Sequence, residues 1–373
     1  MSNGSGNHVY AVIMAGGFGK KLWPVSRRKK LKQFIDLFDD GTMIAQTVHR
    51  ISGLVSEENI LIITSELGRT LLSESLNSFR QENIIIEPSS RNTAPCIALA
   101  TAHIKKRDPD AVTIVLPSDH LVLDNEAFLK IIEAGIDVAS ETKGIVTIGI
   151  KPERPETAYG YIQANGELPL PPTFSDGRDF RLFKVKAFAE KPDLTTAVEF
   201  LESHDFYWNS GVFIWHIDAI SREFERSMPD LYKDLLNIFE SLGTEREQKV
   251  IKDVYSWIHP LSIDHGIMEK AEKVFVLTGE FGWTDLGCWD EVLKVAESRS
   301  ASAGVQPDNR LVKIDCDNIS VKNTTDKVVC TIGIKDIIVV QSENALLICR
   351  KGESHRVREV VDILRREGLE EYL

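Results

Sequence analysis

The sequence predicts an α/β protein, a doubly wound and mostly parallel sheet with helices on both faces, followed by a small domain of short strands. Three observations carry that expectation. Short β-branched runs alternate with stretches of helical length through the first half of the chain. Those runs are apolar on both faces, as strands covered by helices on each side must be. Beyond residue 298 the pattern changes to closely spaced β runs and one closing helix.

Strands are expected at Val9–Met14, Ile60–Thr64, Ile84–Ile86, Val112–Leu116 and Ile145–Ile150, with helices at Thr42–Leu54, Leu67–Arg80, Ala94–Lys106 and Glu126–Ser140. Right-handed crossovers connect such strands. Ligands sit outside their carboxyl ends, which favours the residues just after Met14, Ile86, Leu116 and Ile150. From Pro152 to about Gly177 the chain is rich in Pro, Gly and Glu; strands at Leu182–Phe188 and Val212–His216 follow, then helices at Asp218–Arg226, Leu231–Ser241 and Glu245–Tyr255. Residues 1–298 are read as one catalytic domain, with 152–298 its second subdomain, and the Ser/Ala-rich segment after Ser298 as a linker. Residues 299–373 form the small β-rich domain, with strands at Leu311–Ile314, Asn318–Val321, Val328–Ile332, Ile337–Gln341 and Leu346–Cys349 and a helix from about Ser354 to Glu367.

A length of 373 residues with 43% hydrophobic residues supports a sizeable core without staples. The five cysteines, Cys96, Cys288, Cys316, Cys330 and Cys349, are scattered and lack C-x-x-C spacing, so neither a disulfide framework nor a zinc site is expected. No basic-then-apolar leader opens the chain and no long apolar run follows, which points to a cytoplasmic protein without a membrane partner. The net charge of −12 opposes nucleic-acid binding through the bulk field.

In that acidic background one basic segment stands out. The strand ending at Met14 and Ala15 opens into Gly16, Gly17 and Gly19, then Lys20, Lys21, Arg27, Arg28, Lys29, Lys30 and Lys32. Glycines let a backbone turn sharply and bring N–H groups to phosphate oxygens, and the lysines supply opposing charge. The dinucleotide pattern G-x-G-x-x-G fails because Leu22 stands at the third glycine position, and the Walker pattern fails because Lys21 follows Gly19-Lys20. A turn with a solvated basic rim is the alternative, above all for Arg27 to Lys30.

Gly16-Gly17-Phe18-Gly19-Lys20-Lys21-Leu22-Trp23-Pro24, with Lys32-Gln33-Phe34 beyond it, resembles the signature of the sugar-1-phosphate nucleotidylyltransferases, in particular their guanylyltransferase branch. The chain departs from that signature in having Lys20-Lys21 for Thr-Arg and Leu31-Lys32 for Pro-Lys; lysine keeps the charge but not the planar grip of a guanidinium. The resemblance runs in order from Val12 to Glu367. It implies a Rossmann-like sheet, a short left-handed β-helix-like tail that suggests a homodimer, and transfer of GMP from GTP to mannose 1-phosphate, giving GDP-mannose and pyrophosphate with Mg2+. A relative acting on another sugar 1-phosphate, or one that binds nucleotide sugar without catalysis, fits the same motifs.

Nucleotidyl transfer drives one anion onto another, so cations around the α-phosphate and a pair of converging carboxylates for magnesium are expected. Asp119, in Leu-Pro-Ser118-Asp119-His120, follows the strand ending at Leu116; a turn or helix cap is its plainer role. Asp285, in Gly-Trp-Thr-Asp-Leu-Gly, would otherwise cap the helix starting near Cys288. The resemblance assigns both to the metal. With the resemblance, Lys21 and Lys32 would steady the GTP phosphates, with Ala15, Gly16, Gly17, Gly19, Lys20 and Ser118 beside them.

For the base, Glu87-Pro-Ser-Ser-Arg-Asn92-Thr93-Ala-Pro95 follows Ile86. Glu87 or Asn92 would accept from guanine N–H donors, whereas Thr93 is also a good helix cap. On the sugar side the resemblance singles out the loop through Tyr159 and Gly160, with Ala158 where glycine is usual; Glu190 for sugar hydroxyls and Lys191 for the sugar phosphate; and Asn209 in Tyr-Trp-Asn-Ser-Gly. The plain alternatives are a surface charge pair, with Glu190 and Lys191 on opposite faces of a strand, and an Asx turn for Asn209. Ser262–Lys270 is similar to another segment of the branch with no evident chemistry, and Asp264 in it is expected to orient its neighbours.

Overall fold

A computed structural model of the chain describes residues 8–17, 19–171, 174, 180–303 and 310–373. In chain order the elements are β1 (Val9–Ala15), α1 (Met43–Ile51), β2 (Ile60–Thr64), α2 (Glu66–Ser75), β3 (Ile84–Ile86), α3 (Thr93–Arg107), β4 (Val112–Pro117), β5 (Leu121–Val122), α4 (Asn125–Thr142) and β6 (Ile145–Ile150). There follow β7 (Gly160–Leu168), β8 (Arg181–Glu190), α5 (Leu194–Ser203), β9 (Phe206–His216), α6 (Ile217–Ser227), α7 (Pro229–Ser241), α8 (Glu247–Trp257), β10 (Val274–Thr278), β11 (Trp283–Thr284) and α9 (Trp289–Ala303). The last are β12 (Leu311–Ile314), β13 (Asp317–Asn323), β14 (Val329–Ile332), β15 (Lys335–Gln341), β16 (Leu346–Arg350) and α10 (Val357–Arg366).

Two compact units emerge. The first holds Met1–Gly16, Thr47–Ser118 and Val122–Trp283. The second holds Gly17–Gln46, Asp119–Leu121 and Thr284–Leu373.

The first unit is built on a nine-stranded sheet in the order β3-β2-β1-β4-β9-β6-β10-β8-β7. β1 pairs in parallel with β2 and β4, β2 with β3, and β6 with β10. β9 and β8 run against their neighbours, so the other seven strands share one direction. The expected mostly parallel sheet is therefore a mixed one in which two reversed strands are inserted.

Strand alternation sorts the side chains onto two faces. Tyr10, Val12, Leu61, Ile63, Val115, Phe213 and Trp215 form one core with buried residues of α3, α6, α7 and α8. Ile214, between Phe213 and Trp215, points to the other face, where its Cδ1 lies only 2.3 Å from the position a Cβ on Gly135 of α4 would take. Helix on sheet on helix is the result, with the strand ends left open.

Helix starts follow local chemistry. Ser65 accepts from Gly68 N–H at the start of α2, Asp124 from Ala127 N–H at α4 and Asp193 from Thr196 N–H at α5. Two stretches correct the sequence expectation. β7 replaces an expected irregular stretch: Gln163, Asn165 and Glu167 obscure its alternation, but its backbone pairs with β8 on one side and β9 on the other. The expected linker after Ser298 is the last part of α9, because serine and alanine contain no breaker and helix simply propagates through them. Phe206 opens β9 earlier than expected, and a register shift against β6 between Thr147 and Gly149 leaves extra residues of β9 around Asn209 to Val212.

The second unit has its own core, with Leu22, Trp23, Ile35, Leu37, Leu286, Trp289, Ile338, Val340, Val357 and Val361 in one cluster. Parallel pairing of β12 with β14 and of β13 with β15 gives the turn-by-turn geometry of a short β-helix, and β16 adds antiparallel to β15. The segment after the glycine loop is tied into this unit: Trp23 Nε1 donates to the Tyr372 carbonyl at 2.7 Å and Trp289 Nε1 to the Trp23 carbonyl at 2.8 Å.

Candidate active site

In the second unit, Lys32 lies in a single turn of 3-10 helix and is 7% exposed. An ammonium so deep needs partners. Its Nζ donates to Asp119 Oδ2 at 2.8 Å and to the Asp285 carbonyl at 2.7 Å. One cation therefore joins the two segments from which a metal pair was expected. Asp285 Oδ1 accepts from the Gly287 N–H at 2.8 Å.

Burial alone would push the Asp119 carboxyl upward, but the Lys32 ammonium, His120 and hydrogen bonds outweigh it and hold the group below the usual aspartate range. Asp119 is thus a committed anion at neutral pH, with a third of its side chain accessible. Among the described residues no cluster of three or more His, Cys, Asp or Glu could hold a metal. Asp119 offers a carboxylate of the hard oxygen type that magnesium takes, and the Asp285 carboxylate accepts from the Gly287 N–H.

The other cations of the basic segment divide by partner. Lys20 Nζ is paired with Asp362 at 3.1 Å, Arg27 reaches Ser342 Oγ at 3.0 Å and Arg28 pairs with Glu370. These three are occupied within the second unit. Lys21 is half-buried and has no hydrogen bond or ion pair among the described residues, which leaves its charge available. Gly19 takes φ +63° with its Cα hydrogens against Lys32, where a Cβ would stand 2.3 Å from Lys32 Cβ. Glycine is needed there both for the turn and for the lysine beside it.

In the first unit, Ala15 ends β1 with its carbonyl accepting from the Thr64 hydroxyl, and Ser118 N–H donates to the Met14 carbonyl at 3.2 Å. Glu87, just past β3, is buried. Its Oε1 accepts from the Tyr255 hydroxyl at 3.0 Å, and its Oε2 faces the loop, 3.4 Å from the place of a Cβ on Gly16. Burial raises the Glu87 carboxyl to about 7, against the pull of its bonds to Tyr255 and Cys96. Asn92, not Thr93, caps α3: it takes φ 69° and accepts from Thr93 N–H at 2.9 Å, while Thr93 Oγ1 accepts from the Ile263 N–H. Both expected base acceptors thus have partners within the chain: the Asn92 carbonyl oxygen accepts from Thr93 N–H, and the Glu87 carboxylate bonds Tyr255 and Cys96.

The expected sugar residues do converge. Gly160 is opposite Glu190 in the β7–β8 ladder, and a Cβ on it would meet Glu190 Oε2 at 2.6 Å and Asn209 Cβ at 3.4 Å. Only a glycine lets these two polar side chains close on the backbone. Lys191 does not point away from Glu190 as a strand residue would. It takes φ 49° just past β8 and its ammonium folds back onto the Glu190 carboxylate. Tyr159 contributes backbone and packing, its ring buried edge-on against Trp208 and Trp283 at 5.3 Å from each.

Asp264 joins this group with more definition than its sequence promised. It begins a turn of π-helix, Asp264–Met268, and accepts from Asn209 Nδ2 at 2.9 Å. Thr147 and Tyr255 are polar partners that sequence reading missed. Thr147 sits within an apolar strand run and Tyr255 in an amphipathic helix, and neither carries a local signal.

Comparison with known proteins gives the class, a nucleotide-handling transferase. Residues 10–301 match the nucleotidyl transferase family, and residues 309–364 match the mannose-phosphate isomerase/GMP-like β-helix domain. The chain belongs to the nucleotidyl transferase family, within the sugar-1-phosphate nucleotidylyltransferases that include the mannose-1-phosphate guanylyltransferases. It is 34% identical over 370 residues to mannose-1-phosphate guanylyltransferase 2 of Escherichia coli O157:H7, covering 98% of this chain and 75% of that protein. It is 35% identical over 366 residues to the mannose-1-phosphate guanylyltransferase of Salmonella montevideo, covering 97% and 75%. A crystal structure described as a mannose-1-phosphate geranyltransferase from Thermus thermophilus superposes with a TM-score of 0.80 at 30% identity, covering 96% of this chain and 99% of that one.

Proposed function

We propose that the chain transfers GMP from GTP to α-D-mannose 1-phosphate, releasing pyrophosphate and forming GDP-mannose. A phosphate oxygen of the sugar phosphate attacks the α-phosphorus of GTP, the bond to the β-phosphate oxygen breaks, and pyrophosphate carries the charge away. The observation that carries this reading is the Lys32 ammonium bound to Asp119 and to the Asp285 carbonyl. It puts a fixed cation and a committed carboxylate at one locus, as phosphoryl chemistry requires.

Lys21 and Lys32 bind and orient the triphosphate, and Asp119 and Asp285 are the residues that would hold Mg2+. The ion would supply charge neutralisation at phosphate oxygens. Glu87 accepts from guanine N–H donors, Lys191 leaves Glu190 for the acceptor phosphate, and Glu190 and Asn209 contact sugar hydroxyls. Names of relatives support the sugar and the nucleotide. Pyrophosphate release from GTP and mannose 1-phosphate, with and without magnesium, tests the proposal; turnover is expected only with all three, and no turnover ends it.

We propose in addition a cytoplasmic homodimer. Its support is the set of free thiols and the apolar side chains exposed on the C-terminal strands, such as Val312, Ile314, Ile332 and Ile348. No helix among the described residues is long and apolar enough to cross a membrane. Light scattering is expected to read twice the 41.9 kDa of one chain, and a monomer would remove the dimer.

A further inference from the structure

The segment Ser262–Lys270 is the one sequence motif that the reaction above leaves without work. Its only regular structure is a five-residue π-helical turn, Asp264–Met268, a conformation that recurs at functional sites. Asp264 opens that turn. Opposite it, the register shift in β9 turns Asn209 inward.

The Asn209 amide is gripped at both ends. Its Oδ1 accepts from the Gly211 N–H at 3.1 Å and shares the Thr147 hydroxyl hydrogen, at 3.3 Å, with the Val212 carbonyl at 3.1 Å, and its Nδ2 donates to Asp264 Oδ1 at 2.9 Å. A flipped amide would face its oxygen to a carboxylate and its N–H2 to an N–H, so one orientation survives. One amide hydrogen is left over. Glu190 Oε2 and Asn209 Nδ2 both flank Gly160, 2.6 and 3.7 Å from where a Cβ on it would stand.

We propose that Asp264 is a positioning residue for the acceptor sugar: it locks the Asn209 amide so that its free N–H and the Glu190 carboxylate read neighbouring hydroxyls as one donor and one acceptor. This rests on the mannose 1-phosphate reading given above. A hydroxyl both donates and accepts, so the fixed donor–acceptor pair tests the spacing of two hydroxyls rather than the presence of one.

The arrangement also carries a pH limit. Burial first, and then the Glu190 carboxylate, push Asp264 up to about 6, opposed by hydrogen bonds to its own backbone and Asn209 and by Lys191. On its own segment His265 and Glu269 are hydrogen-bonded to each other at 2.7 Å. Above pH 6 Asp264 accepts only, and the amide is locked. Below it the acid gains a proton and the lock loosens.

The test is steady-state pyrophosphate release by the full chain between pH 5.5 and 8, for wild type, Asp264→Asn and Thr147→Val. Asp264→Asn is expected to raise KM for mannose 1-phosphate about tenfold or more at pH 7.5, with kcat and KM for GTP close to wild type. Its kcat/KM for the sugar phosphate should fall less steeply below pH 6 than that of wild type; ionisation of the phosphate ester itself is common to both. Thr147→Val should raise the same KM by a smaller factor. An unchanged KM and an unchanged pH slope in Asp264→Asn overturn the positioning role and leave the mannose 1-phosphate reading intact. No turnover of mannose 1-phosphate by wild type overturns that reading and this inference with it. If Asp264→Asn fails to fold, Asn209→Asp decides: it removes the amide donor that Asp264 holds, and an unchanged KM for mannose 1-phosphate in it overturns the lock.

Discussion

Asp119 and Asp264 are both partly buried acids at candidate sites, and they are driven in opposite directions. Asp119 has an ammonium 2.8 Å away and sits below the usual range for an aspartate. Asp264 has another carboxylate and an amide for neighbours and rises to about 6. Burial raises both, and only at Asp119 do an adjoining ammonium and its hydrogen bonds outweigh it. The difference suits what each holds: a permanent anion beside an ammonium, and an acid poised near neutrality beside a neutral amide.

Removing the ammonium gives the strongest way to break that contrast. Lys32→Met leaves Asp119 and the Asp285 carbonyl without their shared donor and strips a cation from the phosphates. The kcat for pyrophosphate release is expected to fall about 10²- to 10³-fold. A loss no larger than that of an exposed lysine would mean that Asp119 does not depend on it.

Glu87 extends the comparison to an acid that is buried with no ammonium at all. Its folded value, about 7, lies above that of an unfolded glutamate. The stability it lends is therefore fully present below about pH 4.5 and is lost as pH rises through 7. Wild type should lose about 2 kcal/mol more than Glu87→Gln between pH 5 and pH 8, read from paired denaturant melts. Parallel curves would show that the carboxyl is already solvated.

Gly160→Ala sharpens the Asp264 side. Its Cβ would stand 2.6 Å from Glu190 Oε2, so the carboxylate must move off the position that raises Asp264. KM for mannose 1-phosphate is expected to rise about tenfold, in keeping with the 1–3 kcal/mol of a forced packing shift; KM for GTP should hold.

The smallest effect belongs to Lys20 and Asp362, a pair whose side chains are 38% and 58% exposed. Asp362→Ala should change stability by less than about 1 kcal/mol, because solvent screens such pairs. A larger loss would show that exposure is a poor guide to which lysines matter here.

Much of this was legible in the chain. The strands at Ile60–Thr64 and Ile84–Ile86 follow from β-branched runs alone, and Gly160, Glu190 and Asn209, read as sugar residues from separate motifs, do meet. What was hidden is set by pairings far apart in sequence. Lys20, Arg27 and Arg28 look alike locally, yet each finds a partner more than 300 residues away. The return of Lys191 onto Glu190 needs a positive φ that no neighbour signals. Asp264 is aimed by a π-turn and received by a β-bulge, two irregularities that a periodic pattern cannot contain.

The most direct measurement is pyrophosphate release from GTP and mannose 1-phosphate by Asp119→Asn beside wild type at saturating magnesium. If a committed anion at position 119 is what the reaction needs, turnover should fall by about 10²-fold or more in a variant that still melts cooperatively, though at a lower temperature because the buried Lys32 ammonium loses its counter-charge. Turnover equal to that of wild type would contradict the account, because the lysine-bound carboxylate would then be structural only.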